Sequence, residues 1–246
     1  MNLSAISSST LLGRAARYPL RILPRHMKVP ILQGALKGKT WIVGSQRHAC
    51  WLGIYEPFLQ KRMVQEIKSG GVFYDVGANV GFYSLLAASL IGPGKVFAFE
   101  PLPANMQYLV QHLKLNDIKN VSTLELAISD QVGTSFFQTE ETRAMGRLQA
   151  GGNCRVATST LDSLIHEQTI LPPDCMKIDI EGAEYSALLG AKDCFQTYKP
   201  TLFLATHGRE IHEKCCRLLH AWGYAVQTLE VEENDSRADI LATFGR

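Results

Sequence analysis

With 246 residues, 46% of them hydrophobic and 20% charged, the chain has the composition of an ordinary globular protein large enough to bury a full core. Its net charge of +2 and its longest apolar stretches, such as LLAASLIG, leave no candidate for the ~20-residue helix that crosses a bilayer. Six cysteines at 50, 154, 175, 194, 215 and 216 form no CxxC pair, which argues for free thiols over a disulfide framework or a metal cluster.

The charge is unevenly spread. No Asp or Glu precedes Glu56, whereas Arg14, Arg17, Arg21, Arg25, Lys28, Lys37, Lys39 and Arg47 do. This basic arm, residues 1–55, is expected to be a partly helical extension packed on or beside a domain spanning 56–246. Its first 25 residues are Ser- and Arg-rich and acid-poor, so an organellar transit peptide and plain solvated charge stay open beside contact with an anionic membrane. WIVGSQRHACWLGIYE then has the alternation of a folded segment. Trp41, Trp51 and Tyr55 within it are candidates either for the core or for stacking on a sugar ring.

From Glu56 the order is regular. A helix over Pro57–Lys68 leads to a strand, Val72–Tyr74, ended by Asp75; a helix from Val80 is closed by Gly92 and Pro93. KVFAFE is a strand ending in Glu100, PANMQYLVQHLKLN an amphipathic helix, and VSTLELAIS a third strand. GTSFFQ reads as a strand, GRLQAGGNCRV as a loop, and TLDSLI as a short helix capped by Ser159 or Thr160. CMKIDI is a strand running to Asp179 and Glu181, followed by the helix AEYSALLGA; PTLFLAT is a strand ending at His207. The helix REIHEKCCRLLHAWG and the strands YAVQTLE and ADILATF, paired antiparallel, complete the chain. Strands alternating with helices predict an α/β, doubly wound, mostly parallel sheet. Asp75, Glu100, Asp179 and His207 gather at its carboxyl edge, where open α/β sheets bind ligands.

The strand-to-helix turn DVGANVG holds Asp75, Gly77, Asn79 and Gly81. Its glycines permit unusual dihedrals and close approach of a ligand, and the N–H groups at the helix start are expected to face that ligand. The turn lacks the single-residue glycine gap of the dinucleotide motif, and no P-loop is present. A carboxylate before the glycines repels a pyrophosphate and suits a cation. Glu100, at the end of the next strand, can accept both hydrogen bonds of a ribose diol. A ligand with a ribose, a positive centre and an amino acid tail meets these demands, and S-adenosylmethionine is one.

FYDVGANVGFYS, VFAFEPLPANMQYL, LELAISDQVG, STLDSL and MKIDIEGAEYSALLGA together resemble the FkbM-type S-adenosylmethionine-dependent methyltransferases, over about Val72 to Thr206. The resemblance implies the class I methyltransferase (Rossmann-like) fold, with a seven-stranded sheet and a C-terminal antiparallel strand. The expected chemistry is O-methylation, often of sugars or natural products. It places Asp75, Gly77, Asn79 and Gly81 along the methionine end of the cofactor, Glu100 on the ribose, Ala127 near adenine, and Asp179 near the amino group and the transferring methyl. The family more often carries an acidic residue where this chain has His207.

An alcohol nucleophile benefits from a general base. The candidates are Asp179, Glu181, His207 and, from the arm, His48, with His207 alternatively capping the following helix. His112, His212 and His220 read as helix fillers. The expected partners are a small-molecule or glycan acceptor and, through the arm, an anionic membrane, with no nucleic acid and no metal; the expected location is cytoplasmic or membrane-peripheral. A nicotinamide oxidoreductase, a methyltransferase of another natural product and a non-catalytic nucleotide-binding protein are the competing readings.

Overall fold

The computed structural model describes residues 23–140, 143–148, 154–231 and 236–245. Residues 1–22, most of the stretch read as a transit peptide or membrane arm, lie outside them. The described chain opens with an antiparallel hairpin, β1 (Lys28–Pro30) and β2 (Thr40–Ile42), and a short helix, α1 (His48–Leu52). There follow α2 (Pro57–Glu66), β3 (Val72–Val76), α3 (Phe82–Ile91), β4 (Lys95–Phe99), α4 (Pro103–Leu115) and β5 (Val121–Leu124). Four strands come next, β6 (Ala127–Ile128), β7 (Gly133–Glu140), β8 (Arg143–Leu148) and β9 (Cys154–Ser159). The remainder is α5 (Leu161–His166), β10 (Cys175–Ile178), α6 (Glu184–Leu189), α7 (Lys192–Tyr198), β11 (Thr201–His207), α8 (Arg209–Ala221), β12 (Tyr224–Val231) and β13 (Arg237–Phe244).

Seven strands form the central sheet in the order β12-β13-β11-β10-β3-β4-β5. β13 runs antiparallel to both neighbours and the other pairings are parallel. Both faces are covered, so the central strands are nearly continuous apolar runs rather than alternating, broken by the facing pair Asp75 and Lys177. Phe73, Val96 and Ala98 point to one layer, with Leu85, Leu86 and Leu109. Tyr74, Val76, Phe97 and Met176 point to the other, with Leu188, Phe195 and Leu219. Each such Val, Leu, Phe or Met side chain contributes ~1.5–3 kcal/mol by leaving water.

The N-terminal hairpin belongs to the first layer. Trp41 is fully buried there and stacks on His112 of α4 at 3.9 Å between ring centroids. The His112 Nε2 accepts the Ile42 N–H at 3.1 Å, so Nδ1 carries the proton and donates to the Val80 carbonyl at 2.8 Å. One neutral ring thus joins the hairpin to the glycine turn, and burial pushes its pKa down to about 4.

Several elements depart from the sequence reading. β3 runs through Asp75 to Val76 instead of stopping at Asp75, because Asp75 lies opposite Lys177 in the neighbouring β10. VSTLELAIS splits between two sheets, β5 in the central one and β6 in a second sheet of order β6-β9-β7-β8. GRLQAGGNCRV is largely strand: its ends form β8 and β9, while 149–153 lie outside the described residues. The helix read over AEYSALLGA ends at Leu189 with Gly190 as its C-cap, and α7, which was not expected, follows; a Cβ at Gly190 would come within 2.1 Å of the Ser129 carbonyl oxygen, so close packing of the loops requires the glycine.

Candidate active site

A pocket of about 290 Å³ opens at the carboxyl edge of β3, β4, β10 and β11. Its two ends are built differently.

At one end, Gly77, Asn79 and Gly81 all have positive φ (83°, 49° and 91°) and fold the turn back on itself. Every backbone N–H from Gly77 to Gly81 is bonded within the chain. Those of Gly77 and Ala78 donate to Phe99 O, Asn79 to Glu100 Oε2, Val80 to Asn79 Oδ1 and Gly81 to Ala78 O. The expectation that free turn amides face the ligand is therefore corrected: this turn offers a phosphate no cradle of donors. Gly77 is required for a different reason than ligand approach, since a Cβ there would come within 2.0 Å of the Asp179 carbonyl oxygen. The turn and the loop after β10 are packed backbone to backbone.

Glu100 is 4% exposed and lines the pocket. Its carboxylate accepts from Asn79 N–H (2.8 Å), Leu102 N–H (2.9 Å) and the Asn105 amide (3.1 Å). Burial raises its pKa to about 7 despite these donors. With about four accepting positions on a carboxylate, room for a further donor remains. Leu102, Ala127 and Phe137 of β7 form the apolar wall beside it.

Asp75 does not line the pocket, which corrects its assignment to the cofactor tail. It is buried beneath the turn, accepts the Ser84 hydroxyl at 2.6 Å through Oδ2, and faces Lys177. Burial raises its pKa, opposed by Lys177.

At the other end, carboxylates outnumber cations. Lys177, 3% exposed, donates to Asp179 Oδ2 at 3.0 Å and lies over the Tyr83 ring. Arg237 spans Glu56 (2.8 Å), Asp239 (3.1 Å) and Asp179 (3.6 Å), while the Tyr83 hydroxyl donates to Glu56. Burial acts to raise Asp179, but Lys177, Arg237 and His207 outweigh it and hold the group at about 2. His207 ends β11, its Nδ1 2.9 Å from Glu184 Oε1 and its Nε2 3.5 Å from Glu181 Oε2 and 3.8 Å from Asp179 Oδ1. Burial alone would lower His207; the three carboxylates override it and raise its pKa. The alternative capping role of His207 fails, because Gly208 is the N-cap of α8. Glu181, with φ of 54°, is more exposed and its pKa is raised by burial.

The pocket thus gathers Gly77, Asn79, Glu100, Ala127, Asp179, Glu181 and His207, together with Tyr55. Gly81 is outside its lining as N-cap of α3, and so is His48, whose Nδ1 accepts the Trp51 indole N–H at 3.0 Å. Trp41 and Trp51 are core residues. The sequence reading missed Lys177, Arg237, Glu56 and Glu184. A lone Lys inside CMKIDI was the one visible signal, since an apolar strand carries a charge only against a partner. Asp179, Glu181 and His207 bring ligand atoms within 4.8 Å of one another. Lys177 and Arg237 already stand on Asp179, so the set reads as a charge network.

The sequence profile of the Methyltransferase FkbM domain matches residues 75–226. The chain belongs to that family. It is 26% identical over 137 residues to the hexuronic acid methyltransferase AglP of Haloferax volcanii, covering 55% of this chain and 56% of that protein. It is 27% identical over 165 residues to the methyltransferase sdnD of Sordaria araneosa, covering 53% and 64% respectively. The chain therefore matches less than two thirds of the length of either curated relative. Among solved structures it superposes on the FkbM methyltransferase of Methylobacillus flagellatus KT with a TM-score of 0.52 at 17% identity, covering 70% of this chain and 43% of that one. An S-adenosylmethionine-dependent O-methyltransferase of Thermotoga maritima gives 0.51 at 12%, covering 78% and 66%.

The fold is the class I methyltransferase fold, and S-adenosylmethionine is the cofactor that goes with this family and fold. The pocket's chemistry fits it: an acceptor carboxylate for a diol, an apolar wall for a base, an acidic end for positive charge, and no amide cradle for phosphate.

Proposed function

We propose that the chain methylates a hydroxyl of a sugar or glycan, with His207 as the general base. The carrying observation is the His207 ring: its Nδ1 is committed to Glu184, which leaves Nε2 as the atom that takes up a proton within the pocket. S-adenosylmethionine, held at Glu100 and the apolar wall of Leu102, Ala127 and Phe137, would supply an electrophilic methyl for the acceptor oxygen, with a neutral thioether as the leaving group. Nε2 receives the hydroxyl proton as that oxygen attacks. Asp179, held at about 2 by Lys177 and Arg237, is too weak a base for this task and serves to order the charges around it. Glu100 accepts the ribose hydroxyls. Tyr55 and Tyr83 supply aromatic lining on the acceptor side, and the AglP relative, by its name a hexuronic acid methyltransferase, supports a sugar acceptor. The basic residues before Glu56 support a salt-sensitive contact with an anionic surface.

The test is label transfer from methyl-labelled cofactor to a panel of neutral and acidic sugars, read by mass, with the pH dependence of turnover. Because the pKa of His207 is raised and only neutral imidazole accepts a proton, turnover rises with pH through a midpoint above 6.5. His207→Gln lowers turnover by ~10²–10⁴ at unchanged cofactor affinity. Near-normal turnover in that variant, or a flat profile from pH 6 to 8, removes histidine from the reaction.

A further inference from the structure

Glu184 is the first residue of α6 and its side chain is fully buried. Its Oε1 accepts two hydrogen bonds, from His207 Nδ1 at 2.9 Å and from the Gly182 N–H at 2.9 Å. Its Oε2 is buried with no hydrogen-bond partner among the described residues. A carboxylate in such a place destabilises the fold relative to an apolar residue of the same shape, because half of it is stripped of water and left unbonded. A purely structural acceptor for the Gly182 amide requires no charge. The histidine accounts for the charge.

A carboxylate can only accept, so the proton shared with His207 resides on Nδ1. The ring is then fixed in one tautomer, and its plane is set by a bond from a side chain that cannot move in a packed layer. The other groups around His207 come from two more places. Asp179 and Glu181 follow β10, and Arg237 lies directly opposite in β13. Asp179 is already engaged by Lys177 and Arg237, and Glu181 is the more exposed of the pair, so Glu184, whose one ion pair among the described residues is with His207, is the close negative partner.

We infer that Glu184 is a positioning residue for methyl transfer: it holds His207 in the Nδ1–H tautomer, presents Nε2 to the pocket, and stabilises the imidazolium formed when Nε2 takes the acceptor's proton. This rests on the reading of His207 as the base. The proton balance is closed on the ring, since the proton from the hydroxyl stays on Nε2 until it leaves to solvent and the proton shared with Glu184 stays on Nδ1.

The test uses the full chain labelled with ¹⁵N-histidine, comparing wild type, Glu184→Gln and Glu184→Asp, with His207→Gln to assign the His207 signals. The NMR titration reports the tautomer and pKa of His207 without reference to activity. In wild type the ring is expected as the Nδ1–H tautomer, titrating above 6.5. In Glu184→Gln the His207 pKa drops by about one unit or more, the acid limb of the pH–turnover profile moves by the same amount, and turnover falls about 10–100-fold at unchanged cofactor affinity. If Glu184→Gln does not fold, Glu184→Asp keeps the charge but draws it back from the ring, and the same shifts appear at smaller size. An unchanged tautomer and pKa of His207 in a folded variant overturns the inference even where His207→Gln is inactive. If instead His207→Gln keeps normal turnover, the base reading itself falls, and the positioning role falls with it.

Discussion

The two ends of the pocket follow opposite designs. Around Gly77–Gly81 and Glu100 every described turn amide has a partner within the chain, and Glu100 is the one carboxylate there. Around Asp179 and His207, six carboxylates (Glu56, Asp75, Asp179, Glu181, Glu184 and Asp239) surround three basic groups, and atoms of Asp75 and Glu184 are buried without partners. A self-satisfied turn keeps one shape whether or not a ligand is present. An overcharged, incompletely bonded end changes its protonation when a cation or a proton arrives. The comparison teaches where rigidity and where reactivity have been placed.

The sharpest way to break this comparison is to remove charge from the acidic end. Asp179→Asn leaves Lys177 buried without its nearest carboxylate, and a pair broken in this way costs about 3–5 kcal/mol. Urea unfolding reads the loss, and a change below about 1 kcal/mol shows that the network is not cooperative. At the turn end, Gly77→Ala combines a positive φ with a Cβ 2.0 Å from the Asp179 carbonyl oxygen, so about 3 kcal/mol of stability is expected to go, together with cofactor binding. Wild-type binding in that variant refutes the backbone packing of the two loops.

A smaller effect concerns Glu100. Its pKa of about 7 lies above that of a free carboxylate, so the free protein takes up a proton there as pH falls below 7. Hydroxyls of a ribose donate to the ionised form, hence cofactor affinity is full above pH 7 and weakens by up to about tenfold for each unit below. Glu100→Gln lowers affinity about tenfold and abolishes that dependence, and it also withdraws an acceptor from a backbone donor, Asn79 or Leu102. Calorimetry at pH 6, 7 and 8 checks both; a pH-independent wild-type affinity separates Glu100 from the ribose. The smallest effect is none at all: chelator treatment leaves turnover unchanged if Lys177 and Arg237, rather than a metal, neutralise Asp179. Loss on chelation that a divalent cation restores reverses that assignment.

The glycine turn, Glu100, Asp179 and His207 were legible because each sits beside a strand end, where a polar residue interrupts an apolar run. Asp75 misled for the same reason. A carboxylate after three apolar residues looks like a strand end, and only Lys177, far away in sequence but adjacent in register, lets it stay inside. Glu56 and Arg237 gave no local signal, since their pairing exists only when the segment before α2 meets the C-terminal hairpin, where Asp239 of the same strand joins them. The four-stranded second sheet was missed because glycines at 146, 151 and 152 suggested a loop over residues that include two strands.

The Asp75–Lys177 neighbourhood also bears on how the chain reaches its native state. β10 is inserted between β3 and β11, so the sheet's centre is assembled from segments about 100 residues apart, a separation at which loop closure costs only slightly more than over short distances but must precede any reward. Until β10 arrives, Asp75 has Ser84 beside it and no cation. Burial raises the Asp75 pKa and Lys177 opposes that rise, so closing the first half-sheet before β10 docks carries an electrostatic cost. Docking of β10 is then expected to be the committing step of folding. Lys177→Met slows refolding in stopped-flow experiments more than it speeds unfolding if that step is the transition state.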